Sequence, residues 1–177
     1  MSHTIYLALG SNICRQVALT HAMLQLSKIM SNISCSMVYE SVPLHAKGPN
    51  FYNAVIKGTT DLELDDFLSR TKDIEAVLGR MRWIDNESNV QNIRCLDIDI
   101  LLFDNIVSEI PQLPREDVFK YDFVVIPLLE LDAELTIQNK HIKDIAEDFK
   151  NSNLIICNNV KLQDIIKNNK NKKFNYK

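Results

Sequence analysis

Asp97 and Asp99 are the residues of this chain whose type and spacing speak most directly of chemistry. They lie two positions apart in Arg94-Cys95-Leu96-Asp97-Ile98-Asp99-Ile100-Leu101-Leu102-Phe103, a run apolar enough to be a buried strand. In a strand, residues i and i+2 share a face, so the two carboxylates project together. Leu96, Ile98 and Ile100 then face the other way and seat the strand in a core. Paired carboxylates repel unless something positive lies between them, and the economical choices are a metal ion or a basic side chain. Two acidic oxygens that hold Mg2+ together with substrate phosphates are one solution. A solvated or lysine-paired strand face is the other, because antiparallel sheets often keep one face wet. Upstream, Arg80-Met81-Arg82-Trp83 and Arg94 form a basic cluster suited to a polyphosphate, although arginines at a helix end also favour its negative pole. Asn53 is presented beside Phe51 and Tyr52, as a polar reader among aromatics or simply as a bulge or edge residue.

The elements that must position these groups follow from periodicity. Ile5 to Leu9 reads as a central strand, with a turn at Gly10-Ser11-Asn12. Ala18, Ala22, Leu26 and Ile29 recur at helical spacing between Arg15 and Met30, and His21 on that helix is expected to be satisfied locally. A second strand spans Ile33 to Tyr39, a Pro- and Gly-containing loop spans Ser41 to Asn50, and a third strand spans Phe51 to Thr60. Leu64 to Leu78 carries one apolar helical stripe closed by Gly79. A polar loop, Ile84 to Ile93, leads into the carboxylate strand. Beyond it come a turn at Asp104-Asn105, a loop bracketed by Pro111 and Pro114, and an apolar block from Phe123 to Leu131 that is a buried strand or a helix end. A short helix is expected from His141 to Phe149, and the apolar run from Leu154 to Cys157 could add a strand. The order strand, helix, strand, strand, helix, strand is the split-βαβ arrangement, an α+β, ferredoxin-like fold. Its antiparallel-rich sheet carries helices on one face and leaves the other for ligands, with C-terminal additions.

With 177 residues, 46% hydrophobic and 24% charged, the chain suits one domain, placed at 1–160, with a polar basic tail at 161–177. A net charge of −3 gives no reason to expect a nucleic-acid or membrane partner. The start lacks the pattern of a signal peptide, and no apolar run is long enough to cross a bilayer. Cys14, Cys35, Cys95 and Cys157 are scattered without metal-ligand spacing, as expected of reduced thiols in a cytoplasmic protein.

Several segments, in order, resemble the 6-hydroxymethyl-7,8-dihydropterin pyrophosphokinases of folate synthesis. They are Ile5-Tyr6-Leu7-Ala8-Leu9-Gly10-Ser11-Asn12, Phe51-Tyr52-Asn53-Ala54, Ile74-Glu75 with Leu78-Gly79-Arg80, the Arg94 to Phe103 block, and Phe123-Val124-Val125-Ile126-Pro127-Leu128. The Arg-x-Leu-Asp-x-Asp-Ile-Leu-Leu core of that block is close to diagnostic. The resemblance implies pyrophosphoryl transfer from ATP to the pterin hydroxymethyl oxygen, releasing AMP. It implies two Mg2+ on Asp97 and Asp99, and triphosphate contacts from Arg80 and Arg94, with Arg82 a further ATP contact. The pterin would meet Asn53 and Leu44 at its edge, with Phe51 and Phe123 stacked on its two faces. Leu68, Glu75 and Ile100 fall at adenosine-side positions. The implied partners are these two small molecules alone, bound by a monomer.

The chain also departs from the family pattern. The usual Arg-Trp-Gly-Pro-Arg run is replaced by Asn89-Val90-Gln91-Asn92-Ile93-Arg94, in which only Arg94 is kept. In Leu113-Pro114-Arg115-Glu116-Asp117, Arg115 stands where the family has an ATP-contacting histidine, and Tyr121 stands where it has an arginine. These changes motivate a second reading, a weak or inactive paralogue that binds pterin or nucleotide in a regulatory or partner-binding role.

Overall fold

The computed structural model describes residues 1–44, 48–84 and 90–174, with the backbone alone described for 80–84, 90–94 and 170–174. The elements are β1 (His3–Ser11), α1 (Arg15–Leu26), β2 (Ser31–Cys35), β3 (Tyr39–Ser41), β4 (Phe51–Thr60), α2 (Leu64–Leu78), β5 (Arg80–Ile84), β6 (Val90–Arg94) and β7 (Asp97–Phe103). Two small ribbons, β8 (Ser108–Glu109) with β9 (Gln112–Leu113) and β10 (Thr136–Ile137) with β11 (Lys140–His141), flank α3 (Asp117–Lys120) and α4 (Asp122–Leu131). The chain closes with α5 (Ile142–Ala146), β12 (Ile155–Ile156) and α6 (Leu162–Phe174).

The main sheet runs β12-β3-β4-β1-β7, with β2 also on β4, and every pairing in it is antiparallel. That order is the split-βαβ one: β1 lies between β4 and β7, the strands that α2 connects. Ile5, Leu7 and Leu9 of β1, with Ile56 and Ile98, bury one face against Ala18, Leu19, Ala22, Met23 and Leu26 of α1 and Phe67 and Ile74 of α2. The second face is not left open. A separate core joins Tyr6, Val55, Leu101 and Leu102 to Val124, Val125 and Leu128 of α4 and to Ile142 and Ile145 of α5. The apolar block at 123–131 is therefore a helix with Pro127 inside it, and it needs that face to bury its side chains.

A bulge in β7 brings Leu102 onto the second face beside Leu101. Register runs Leu7 to Ile100 but Tyr6 to Leu102, so Leu101 is an extra residue and alternation reverses there. Asp97, Asp99, Leu101 and Leu102 thus serve the second face, while Ile98, Ile100 and Phe103 serve the first.

Three further expectations change. The second strand is split into β2 and β3, because Ser36 breaks the ladder. Its hydroxyl accepts from the Val55 N–H at 3.0 Å, while its own N–H donates to the Val55 carbonyl at 2.9 Å. Of the polar loop expected at 84–93, Ile84 and residues 90–93 belong to a ribbon in which β5 pairs β6, Arg80 opposite Arg94 and Arg82 opposite Asn92, and residues 85–89 lie outside the described ones. Residues 161–177 do not begin as a tail. α6 buries Leu162 and Ile166 in the first core, and Gln163 pairs with the backbone of Ile33 and Cys35. Among the described residues no helix is long and apolar enough to cross a membrane.

Candidate active site

The ends of β4, β1 and β7 build the site as one row across the sheet. Register sets Asn53 beside Gly10 and Gly10 beside Asp97, and the next same-face row is Val55, Ala8, Asp99. Small residues at the centre of both rows leave a floor between the amide and the carboxylates. A Cβ on Gly10 would stand 3.8 Å from Asn53 Oδ1, so glycine here keeps the floor low rather than relieving a clash.

Above this floor is a cleft of about 200 Å3. Its lining brings together Leu44, Phe51, Asn53, Asp97, Asp99 and Phe123, all six singled out from sequence. Asn53 is buried, and its Nδ2 donates to Ser41 Oγ at 2.8 Å, which orients the amide. Phe123 lines the cleft from the start of α4 and is stacked on Tyr121, ring centroids 5.2 Å apart and planes 9° from parallel. Leu44 and Val42, both exposed, contribute apolar surface to the lining.

The acidic end is held from several sides. Ser11 Oγ donates to the Cys95 carbonyl at 2.6 Å, and Cys95 N–H reaches the Gly79 carbonyl at 3.3 Å. Gly79 ends α2 at φ 63°, a left-handed value that glycine takes without strain. Between the two carboxylates, Ile98 N–H donates to buried Glu75 Oε1 at 2.7 Å, and Lys72 Nζ lies 2.9 Å from Glu75 Oε2. Burial pushes the Asp99 carboxyl up from its ordinary range, against the opposing pull of Arg115 and Lys72.

Arg115 sits in this acidic end, its Nη1 3.4 Å from Asp99 Oδ1. Leu68, Glu75 and Ile100 lie instead on the α2 side of β7, outside the cleft lining. The side chains of Arg80, Arg82 and Arg94 fall outside the described residues. Asp117, on the cleft lining and 2.6 Å from Arg115 Nε, is a site residue that sequence reading passed over. Ser41 is another. Only the sheet register, which brings β3 beside Asn53, could have disclosed Ser41.

The donor set at this end suits a hard cation. It consists of carboxylate oxygens, two from one strand face, and among the described residues no cluster of three or more His, Cys, Asp or Glu closes around a metal. Mg2+ commonly takes one or two carboxylates and completes its shell with water and substrate phosphates, so the pair fits it.

A split-βαβ sheet with a cleft aromatic at one end and acidic at the other defines an α+β domain built to take a flat, polar ligand beside a charged one. A family model for 7,8-dihydro-6-hydroxymethylpterin-pyrophosphokinase (HPPK) matches residues 6–133, and the chain belongs to that family. It is 33% identical over 165 residues to the 2-amino-4-hydroxy-6-hydroxymethyldihydropteridine pyrophosphokinase of Haemophilus influenzae, covering 88% of this chain and 98% of that protein. The protein of the same description from Porphyromonas gingivalis is 32% identical over 133 residues, 72% of this chain and 89% of its own length. The folic acid synthesis protein fol1 of Pneumocystis carinii is 34% identical over 139 residues, 76% of this chain but 18% of that longer protein. The crystal structure of Plasmodium falciparum HPPK-DHPS with SDX-DHP superposes with a TM-score of 0.68 at 13% identity. That match covers 84% of this chain and 44% of the other, and it shows a shared fold.

Proposed function

We propose that the chain carries out the reaction of its family, with the cleft as its acceptor site and the Asp97–Asp99 face as its phosphate site. The hydroxymethyl oxygen of 6-hydroxymethyl-7,8-dihydropterin attacks the β-phosphorus of ATP. The bond from that phosphorus to the oxygen bridging the α-phosphate breaks, AMP leaves with that oxygen, and the hydroxyl proton passes to solvent. The observation that carries this reading is the single row Asn53–Gly10–Asp97, which puts an oriented amide and the paired carboxylates in one cavity.

Asn53 would read the amide edge of the pterin, with Phe51 and Phe123 stacking on its faces and Leu44 closing the edge. Tyr121, stacked behind Phe123, fixes that ring's plane. Asp97 and Asp99 would hold two Mg2+, whose chemistry is to neutralise the phosphate oxygens of ATP. Arg80 and Arg94, cross-strand partners on one ribbon, would grip the triphosphate, with Arg82 and Arg115 as further ATP contacts and Leu68, Glu75 and Ile100 on the adenosine side. Positioning and charge stabilisation carry the acceleration, as is usual for phosphoryl transfer. A monomer working in the cytoplasm, where ATP is supplied, completes this reading.

The test is AMP release from ATP with and without the pterin. Pterin-dependent AMP is expected, and Asp97→Ala should lower the rate roughly a hundred- to a thousandfold or more while keeping the wild-type circular dichroism. A folded protein that makes no pterin-dependent AMP would instead favour a binding role.

A further inference from the structure

Asp99 already has a cation against it. The Arg115 guanidinium lies between two carboxylates, Nη1 3.4 Å from Asp99 Oδ1 and Nε 2.6 Å from Asp117 Oδ2. The backbone explains how it comes to be there. β7 is the last strand of the sheet order, and at its bulge the Leu101 carbonyl accepts from Arg115 N–H at 2.9 Å. That bond lays the start of α3 alongside the carboxylate strand.

The two contacts are unequal. The one to Asp117 is a short charge-assisted hydrogen bond; the one to Asp99 is longer than such bonds usually are. Arg115 is therefore anchored through Nε to Asp117, with the Asp99 contact the easier to exchange. A guanidinium does not lose its proton, so it cannot yield by deprotonating. It can yield only by moving, and a divalent ion at Asp99 would be repelled by it while it stays.

Building on the metal reading above, we propose that Arg115 is a positioning residue that acts as a placeholder. It holds Asp99 while the nucleotide is absent, so divalent metal binds the free protein weakly. When the triphosphate arrives with its own negative charge, the guanidinium turns from Asp99 toward a phosphate while keeping its anchor on Asp117. Metal and nucleotide then strengthen each other's binding, and the coupling is reciprocal.

The test uses Mn2+ as the probe, titrated into the full chain with and without a non-hydrolysable ATP analogue, with free Mn2+ read by electron paramagnetic resonance. Without nucleotide, Arg115→Gln should bind Mn2+ at least about fivefold more tightly than wild type, the low end of ordinary coupling between sites. The analogue should then tighten Mn2+ binding less in that variant than in wild type. Lys120→Gln removes a positive charge from α3, the short helix just after Arg115, where Lys120 pairs with Glu116, and should leave Mn2+ binding unchanged. Arg115→Met replaces Arg115→Gln if the latter does not melt like wild type. Mn2+ affinity that is unchanged or lower in the folded Arg115 variant, or raised equally by Lys120→Gln, overturns the placeholder. Asp99→Asn separates the two levels. If it leaves Mn2+ binding to the analogue complex intact, the metal reading itself fails. If it abolishes that binding while Arg115→Gln changes nothing, only the placeholder fails.

Discussion

Asn53 shows how one side chain is made specific by its neighbour. Ser41 accepts from its Nδ2, and in the proposed reading the amide carbonyl and the second N–H would meet the pterin. Asn53→Ala should therefore cost about 1–3 kcal/mol of acceptor binding, roughly 5- to 150-fold in the KM for the pterin, with a much smaller change for ATP. A KM for ATP that rose as much as that for the pterin would place Asn53 elsewhere. His3 makes a different kind of prediction, about stability. Its Nδ1 lies 2.6 Å from Asp104 Oδ2, and that hydrogen bond raises the imidazole pKa. Burial pushes the Asp104 carboxyl up, but His3 and the Thr4 N–H hold it below its ordinary range overall. A raised histidine contributes while protonated, below its unfolded value, and loses that contribution as pH rises through its folded value; a lowered aspartate contributes above its unfolded value and loses it as pH falls through the folded one. The pair is thus worth most between about pH 4 and 6.5. Melting of wild type against His3→Gln should show a gap near pH 5 that shrinks toward about pH 9; a constant gap would sink the idea.

Among the elements, β7 was legible from sequence because its alternation is strict through Ile100 and carries charge on one face only. Its bulge was not. Leu101 and Leu102 are both apolar, so nothing local marks where the alternation reverses; the pairing with β1 decides it. The β5–β6 ribbon was missed for another reason. Arg80 to Ile84 and Val90 to Arg94 mix polar and apolar residues, and the polar stretch between them outweighs the weak alternation on either side. Asp117 had no sequence signal at all, since the contact of the Leu101 carbonyl with Arg115, two residues before it, exists only in the folded chain. Glu75 offers the clearest test at this scale, because it joins α2 to the peptide between the two site carboxylates. Glu75→Ala leaves a buried N–H without its acceptor and should cost about 1–3 kcal/mol, with a drop of about 2–4 °C in Tm for each kcal/mol. The turnover rate should fall with it, and Glu75→Gln, which keeps the acceptor, should restore most of the stability.

For the whole molecule, the expected boundary near residue 160 can be tested by truncation. Leu162 and Ile166 are 2% and 5% exposed, and each contributes about 1.5–3 kcal/mol through burial. Ending the chain at residue 161 should lower the urea midpoint accordingly and uncover the β2 edge that Gln163 covers. A dispensable tail would leave the midpoint unmoved. The asparagine and the first aspartate stand two strands apart, and neighbouring strands lie about 4.8 Å from each other, which sets roughly 9.6 Å between their backbones. That span is a ruler made of hydrogen bonds, and no single side-chain exchange can lengthen it. Compounds meant to bridge both ends would have to be cut to this length, whatever groups they carry.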